Sequence, residues 1–406
     1  MSKIRIEPSI ARGKIVVPPS KSYAHRLLIA AALSNEETVV KNVVLSNDIM
    51  ATINCLEALG KKITILDSEQ NKEIRISNSN ILAEELVFDC LESGSTLRFF
   101  IPIALLTGKK VKFIGSEKLL SRGLSVYEDL CLKQNINYVK DSTSISFEGI
   151  LKNGEFNIPG NISSQFITGL LFALPLLNGD SIINITTKLE SKNYIDITID
   201  VLKRAGINID VEDNKYYIKG NQQYIKNNYI VEGDYSNAAF LDVFNYLGGN
   251  VELIGLNKDS YQGDKIYQEY FKLLNTSYQE LDISNCIDLG PILFAFASMK
   301  HGAKFTNTSR LKIKESDRIL AVSSEITKFG AKLSDFSDFV VVDKQILRKP
   351  KNVLFGQNDH RIVMMLSVMA SVYGGTIEGI EAVNKSYPSF FQDLESLGIE
   401  VHYNVD

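Results

Sequence analysis

Two short patterns alternate along the chain, and together they limit what it can fold into more than any other feature. In the first, an amphipathic helical run ends near Gly or Asn and a strand-like run follows. It reads "CLEALGKKITI" from 55, "CLKQNINYVK" from 131, "VLKRAGINIDV" from 201, "KLLNTSYQEL" from 272, "EITKFGAKLSD" from 325 and "DLESLGIEVHY" from 393. Gly or Asn after a helix supplies the left-handed cap that lets the backbone turn into a strand. The second pattern is a turn or small residue followed by alternating β-branched residues: "NEETVVKNV", "GKKVKFIGS", "GDSIINITT", "GNVELIGLN", "GAKFTNTSR" and "GGTIEGIEA". Six alternating copies of both predict six similar α/β units, each of roughly 55 to 75 residues. The most polar irregular stretch, "DNKYYIKGNQQYIKNNYIVEGD" (213–234), falls after the third unit and predicts two lobes of three units each.

Bulk properties narrow the class. A chain of 406 residues is long enough for two or three domains with sizeable cores. Its net charge of −4 gives no reason to expect nucleic acid or an acidic membrane surface as partner. Cys55, Cys90, Cys131 and Cys286 stand far apart with no Cys-x-x-Cys and no His nearby, which speaks against a zinc site or a disulfide framework. The N-terminal residues "MSKIRIEPSI" lack the apolar region of a signal peptide, and no apolar run reaches about 18 residues. A cytoplasmic protein is expected.

The chemistry concentrates at helix mouths. In "VPPSKSYAHRLLIAAAL" (17–33), Lys21, Ser22 and Arg26 precede or open a run that is otherwise almost wholly apolar. Backbone N–H groups at a helix start lack partners and the dipole there is positive, so added cations call for something negative. "ESGSTLRFFIPIALL" (92–106) and "NISSQFITGLLFALPLL" (161–177) repeat the arrangement with Gly94, Ser95 and then Ser163, Ser164, Gln165. If the first three units are related by rough threefold symmetry, these N-termini converge and bind anions such as phosphate or carboxylate. The second half adds "RLKIKESDRILA" (310–321), "GQNDHRIVMMLSVMA" (356–370), "CIDLGPILFAFA" (286–297) and "AVNKSYPSFFQDL" (382–394). Read by themselves, the first is either a solvated charged loop or a cation cluster. Asp288 is either a helix cap or an acid/base group, and Asn358 or Asp359 caps the helix that His360 and Arg361 precede.

The ordered motifs "PSKSYAHR", "SGSTLR", "SSQF", "SKNYIDIT" (191–198), "EGDYSNAAF" (232–240), "KESDR" and "NDHR" resemble those of the enolpyruvyl transferase family, in detail its 5-enolpyruvylshikimate-3-phosphate synthase branch, over essentially the whole length. The resemblance implies a two-lobed inside-out α/β barrel of six βαβαββ units. Residues 1–17 plus 232–406 would form one lobe and 18–231 the other, with crossovers near 12–20 and 226–236 as the hinge about which the lobes close over substrates. It implies transfer of the enolpyruvyl group of phosphoenolpyruvate to the 5-hydroxyl of shikimate 3-phosphate through a tetrahedral intermediate, with release of phosphate. No metal or organic cofactor is implied, and a monomer is expected.

Carried over motif by motif, the resemblance implies that Lys21, Ser22, Arg26, Ser163, Ser164, Gln165, Ser191, Tyr194, Asp288 and Lys314 bind shikimate 3-phosphate. For phosphoenolpyruvate it implies Lys21, Gly94, Ser95, Arg122, Gln165, Arg318, Arg361 and Lys385. Asp288 is the candidate base for the substrate hydroxyl and Glu315 the candidate acid for C3, with Lys21 and His360 assisting. Glyphosate, the inhibitor of the family, would occupy the phosphoenolpyruvate site, where Gly94 leaves room for it. Three positions depart from the family pattern: Glu92 stands where Asn is usual, Pro19 where Gly is common and Arg310 where Asn is frequent. Two rival readings share most of these motifs. One is the sister family acting on UDP-N-acetylglucosamine, which uses a loop Cys that "GSEKLLSRGLS" (115–125) lacks. The other is a catalytically dead paralog, for which Glu92 is the one supporting feature.

Overall fold

The structure is a computed structural model that describes residues 2–68, 71–79 and 83–403. The chain forms two compact units. Unit 1 comprises Met1–Pro18 and Gly233–Asp406, and unit 2 comprises Pro19–Glu232. Each unit has its own apolar core, that of unit 2 running from Tyr23 to Val231 in sequence and that of unit 1 combining Ile4–Val17 with residues from Tyr235 onward.

The repeat is visible as a recurring sheet. In unit 2, Glu85–Asp89 pairs parallel with Lys110–Ile114, which pairs antiparallel with Ser144–Glu148, which in turn pairs antiparallel with Asn137–Lys140. The same parallel–antiparallel–antiparallel order recurs around Ser181–Ile185, whose partner on the parallel side is Glu155–Ile158. It recurs again around Thr38–Val43, where the parallel partner is Asn228–Ile230 from the far end of the unit. That pairing of first strand with last closes unit 2 on itself.

Unit 1 repeats the order around Ala303–Thr306 and around Gly375–Glu378. The N-terminal strand Lys3–Ile6 lies inside the latter sheet, between Gly375–Glu378 and Val401–Tyr403. Arg12–Val16 pairs parallel with Asn250–Ile254 in a sheet of two strands only. Here the fourth unit departs from the sequence pattern. After the Tyr267–Thr276 helix the chain enters Gln279–Asp282 directly, and that strand already serves the next sheet. Two residues leave no room for the hairpin that the first, second, third and fifth units carry; in the sixth, the N-terminal strand takes the place of the hairpin's second strand. One strand therefore satisfies the helix–turn–strand pattern for two neighbouring units.

Glycine and asparagine do end helices where expected. The Ser125–Gln134 helix caps on Asn135 at φ 57°, and Gly330 at φ 95° follows the Thr327–Phe329 turn. Among the described residues no helix is long and apolar enough to cross a membrane.

Candidate active site

In unit 2 the apolar helices begin at Lys21, Gly94 and Ser164, each with a serine cap. Ser20, Ser93 and Ser163 accept from the N–H of Tyr23, Thr96 and Gln165 respectively. The apolar faces pack into the core, and the polar first turns are left at the mouths. Lys21 Nζ lies 2.8 Å from Asp48 Oδ2, an acid from the first turn of the Asn47–Ala58 helix. Arg26 is buried, and its guanidinium donates to Thr198 Oγ1 (2.8 Å), the Ser22 carbonyl (2.8 Å) and the Tyr194 carbonyl (3.1 Å). It also lies 5.0 Å from the centre of the Phe99 ring. Burial lowers its pKa to about 10, with Tyr194 and Tyr23 opposing. Arg26 is thus largely committed to the protein: it holds Ser22 and Tyr194 in place and keeps only part of its donor set for a ligand.

Arg98 is the connection that sequence reasoning missed. Its side chain donates to Gln165 Oε1 (3.0 Å), the Gly94 carbonyl (3.4 Å), the Arg122 carbonyl (3.2 Å) and the Gly123 carbonyl (3.3 Å). Gln165 Nε2 in turn donates to Ser95 Oγ at 2.9 Å. Gly94, Ser95, Arg122 and Gln165 are therefore brought into one cluster, with two guanidinium groups at its centre. A Cβ placed on Gly94 would lie 2.7 Å from Arg122 Nη1 and 3.0 Å from Arg98 Nη1. Burial, then the neighbouring Arg122 charge, lowers the Arg98 pKa to about 9. The Arg in "SGSTLR" stands four residues after Gly94, one helical turn on, and that spacing was the available signal.

Ser163 and Ser164 lie at the start of their helix, half-buried and buried. Ser191 precedes the Lys192–Arg204 helix in the left-handed region at φ 55°, a conformation that costs a non-glycine residue on the order of 1 kcal/mol. Thr168 and Thr198, hydrogen-bonded at 2.9 Å, tie the Ser164–Ala173 helix to the one that Ser191 leads into. Glu92 is half-buried in the turn before Ser93.

In unit 1 the organising group is Arg318, 1 % exposed. It donates from Nη1 to Asp288 Oδ1 (2.8 Å), from Nε to Asp359 Oδ2 (2.9 Å) and from Nη2 to Glu315 Oε2. Lys314 Nζ reaches the same Asp288 oxygen at 3.0 Å. Asp288 sits inside the Ile287–Leu289 turn ahead of an apolar helix whose N-cap position is Leu289. Burial pushes its carboxyl up, but the Lys314, Arg318 and Arg361 cations outweigh burial and hold it well below the usual carboxylate range. The "RLKIKESDR" segment is not a solvated loop: Arg310 and Arg318 are buried, and Arg310 Nη2 donates to the Ser284 carbonyl at 2.6 Å.

Asp359 is the cap of the following helix, accepting from the Arg361 N–H at 2.9 Å. His360 and Arg361 do not precede that helix but form its first two residues, both buried. Arg361 Nη1 donates to Asn237 Oδ1 at 3.3 Å, and Lys385 Nζ donates to the Asn358 carbonyl at 2.6 Å. Glu315, Asp359 and His360 bring ligand-type atoms within 4.8 Å of one another, but Arg318 already bonds both carboxylates there. Asp264, which the sequence reading passed over, is buried with Oδ1 unpartnered. Burial and the neighbouring Asp288 charge push its carboxyl up to about 7, with Ser236 and Arg361 opposing.

Unit 2 thus presents cations and helix N-termini suited to polyanions, and unit 1 presents Asp288, held ionised by Lys and Arg, with Glu315 and Asp359 on the same Arg318. Comparisons with known proteins identify the family. The family model described as EPSP synthase (3-phosphoshikimate 1-carboxyvinyltransferase) matches residues 7–394. A protein of Clostridium acetobutylicum named 3-phosphoshikimate 1-carboxyvinyltransferase is 42 % identical over 99 % of both chains, and one of Clostridium kluyveri is 41 % identical over 99 % of this chain and 98 % of its own. The solved EPSP synthase of Acinetobacter baumannii shares the fold, with a TM-score of 0.81 at 19 % identity over the full length of both chains. With a family model spanning nearly the whole sequence and full-length relatives above 40 % identity, the chain belongs to the EPSP synthase (3-phosphoshikimate 1-carboxyvinyltransferase) family.

Proposed function

We infer that this chain transfers the enolpyruvyl group of phosphoenolpyruvate to the 5-hydroxyl of shikimate 3-phosphate and releases inorganic phosphate, a step of aromatic amino-acid biosynthesis. The observation that carries the reading is the pair of guanidinium groups at Gly94. Among the described residues neither Arg98 nor Arg122 forms an ion pair, and both guanidinium groups lie beside Gly94, the first residue of the Gly94–Leu105 helix. Two cations side by side without a carboxylate suit a phosphate dianion.

In unit 2, Lys21, Ser22, Arg26, Ser163, Ser164, Ser191 and Tyr194 hold shikimate 3-phosphate, and Gln165 bridges to the phosphoenolpyruvate contacts Gly94, Ser95 and Arg122. From unit 1, Arg318, Arg361 and Lys385 clamp phosphoenolpyruvate, and Lys314 binds substrate hydroxyls. Asp288, kept ionised, accepts the hydrogen bond of the 5-hydroxyl and takes its proton as oxygen attacks C2. Glu315 delivers a proton to C3, giving the tetrahedral intermediate. Glu315, now a carboxylate, takes back one of the three C3 methyl protons as phosphate leaves with the proton that Asp288 held, which resets both carboxyls, while Lys21 and His360 balance the charge. The chain crosses between units at Pro18–Pro19 and Glu232–Gly233, and we assign the hinge to these two crossings. A monomer in the cytoplasm is the form we assign, in keeping with a net charge of −4 and a complete core in each unit.

Gly94→Ala tests the phosphoenolpyruvate assignment. The added methyl meets Arg122 Nη1 at 2.7 Å and displaces a guanidinium head. The KM for phosphoenolpyruvate is expected to rise by about 10- to 100-fold, as a misplacement near 1 Å commonly costs. Shikimate 3-phosphate affinity, measured by calorimetry, should hold within about twofold, well inside the 1.4 kcal/mol of a tenfold change. An unchanged KM for phosphoenolpyruvate would remove Gly94 and Arg122 from that site.

A further inference from the structure

A row of buried polar side chains runs beneath the site in unit 2, and no step above uses it. His25 Nδ1 lies 2.7 Å from Thr52 Oγ1, Thr52 Oγ1 lies 2.8 Å from Thr96 Oγ1, and Thr96 Oγ1 donates to Ser93 Oγ at 2.8 Å. All four residues are at most 1 % exposed. The row links three helices: Lys21–Leu33, Asn47–Ala58 and Gly94–Leu105.

Its polarity follows from counting protons. Each hydroxyl has one proton to give. Thr96 gives its own to Ser93 and so must accept from Thr52. Thr52 has then given its proton and must accept from His25. The ring is therefore the neutral tautomer protonated at Nδ1, with Nε2 a bare lone pair, and Nε2 has no partner in its buried surroundings. Burial, with Lys21 and Arg26 as the charges facing it, keeps the ring from taking a second proton. The row ends on Ser93, the cap that also accepts the Thr96 N–H at 3.2 Å, one residue before Gly94.

We propose that His25 is a positioning residue for phosphoenolpyruvate: through Thr52 and Thr96 it fixes the Ser93 cap and with it the Gly94–Ser95 turn, without touching either substrate. The proposal rests on the assignment of Gly94 and Ser95 to phosphoenolpyruvate. Its first consequence does not depend on turnover. Two-bond proton–nitrogen correlation spectra, with the His25 signal assigned by loss in His25→Gln, should show Nδ1 protonated and Nε2 bare from pH 6 to 8. The opposite tautomer or a charged ring would overturn the proposal.

The second consequence is kinetic. Thr52→Val keeps the shape and breaks the row, and is expected to raise the KM for phosphoenolpyruvate by about tenfold while the KM for shikimate 3-phosphate stays within about twofold. Thr52→Ser, which keeps the hydroxyl, should restore the wild-type value. Equal rises in both constants, no rise at all, or failure of Ser to rescue a variant with native near-ultraviolet circular dichroism would overturn it. A wild-type protein without transferase activity would defeat the reaction assignment instead, while the tautomer measurement would still stand or fall on its own.

Discussion

Replacing Arg318 with Met should unfold unit 1 more readily and abolish turnover together. The guanidinium is the shared partner of Asp288, Glu315 and Asp359, and Asp359 is itself fully buried. Removing one partner of a buried ionic cluster leaves uncompensated charge, which costs about 3–5 kcal/mol. Denaturant unfolding of the variant should show a loss of that order, and kcat should fall by at least about 10³ as the acids and the phosphoenolpyruvate clamp are lost together. Arg318→Lys should lie between, because one ammonium cannot hold three carboxylates in a planar fork.

The acid limb of stability gives the sign. Asp288 is held well below its ordinary range, so its contribution is fully present above the unfolded value near 4 and is lost as pH falls through the lower folded value. In Arg318→Met the folded value moves up toward the unfolded one, so the variant should be less stable at neutral pH and should lose less of its remaining stability than wild type as pH falls below about 4. A variant with wild-type stability and a wild-type acid limb would mean the cluster does not hold unit 1 together.

The second large effect separates the two carboxylates. Asp288→Asn removes the proton acceptor and leaves Lys314 and Arg318 with less negative charge to face. Glu315→Gln removes the proton donor but keeps a hydrogen-bond partner for Arg318. General acid or base catalysis is commonly worth about 10²–10⁴, so each substitution should lower kcat by that much while equilibrium binding of shikimate 3-phosphate changes little. In deuterated solvent, Glu315→Gln should also lose label incorporation at C3 of phosphoenolpyruvate. If neither substitution slows the chemical step in single-turnover experiments, both role assignments are wrong.

The parts of this molecule legible in the sequence are those that rest on local rules. The helix–cap–strand and β-branched patterns recur because each unit must end a helix and start a strand, and the structure places strands at all six copies of the second pattern. The missing hairpin of the fourth unit was not legible, because Gln279–Asp282 satisfies the local pattern whichever sheet it joins. At the site, the serine caps and the apolar runs behind Lys21, Gly94 and Ser164 could be read directly. Partnerships across the chain could not: Asp48 is 27 residues from Lys21, and Asp359 is 41 from Arg318. Arg26 looked like a free cation in sequence and is committed to Thr198 and two carbonyls. Asp264 stood in an ordinary polar loop, and only burial gives its carboxyl an unusual character.

The most direct test of the reaction is phosphate release from the purified protein given phosphoenolpyruvate and shikimate 3-phosphate together, with each omitted in turn. Release that requires both substrates is the predicted result, and it would make Glu92 a tolerated variation beside an intact anion site. Binding of both substrates without release would contradict the transferase assignment and leave a protein that only holds phosphorylated ligands.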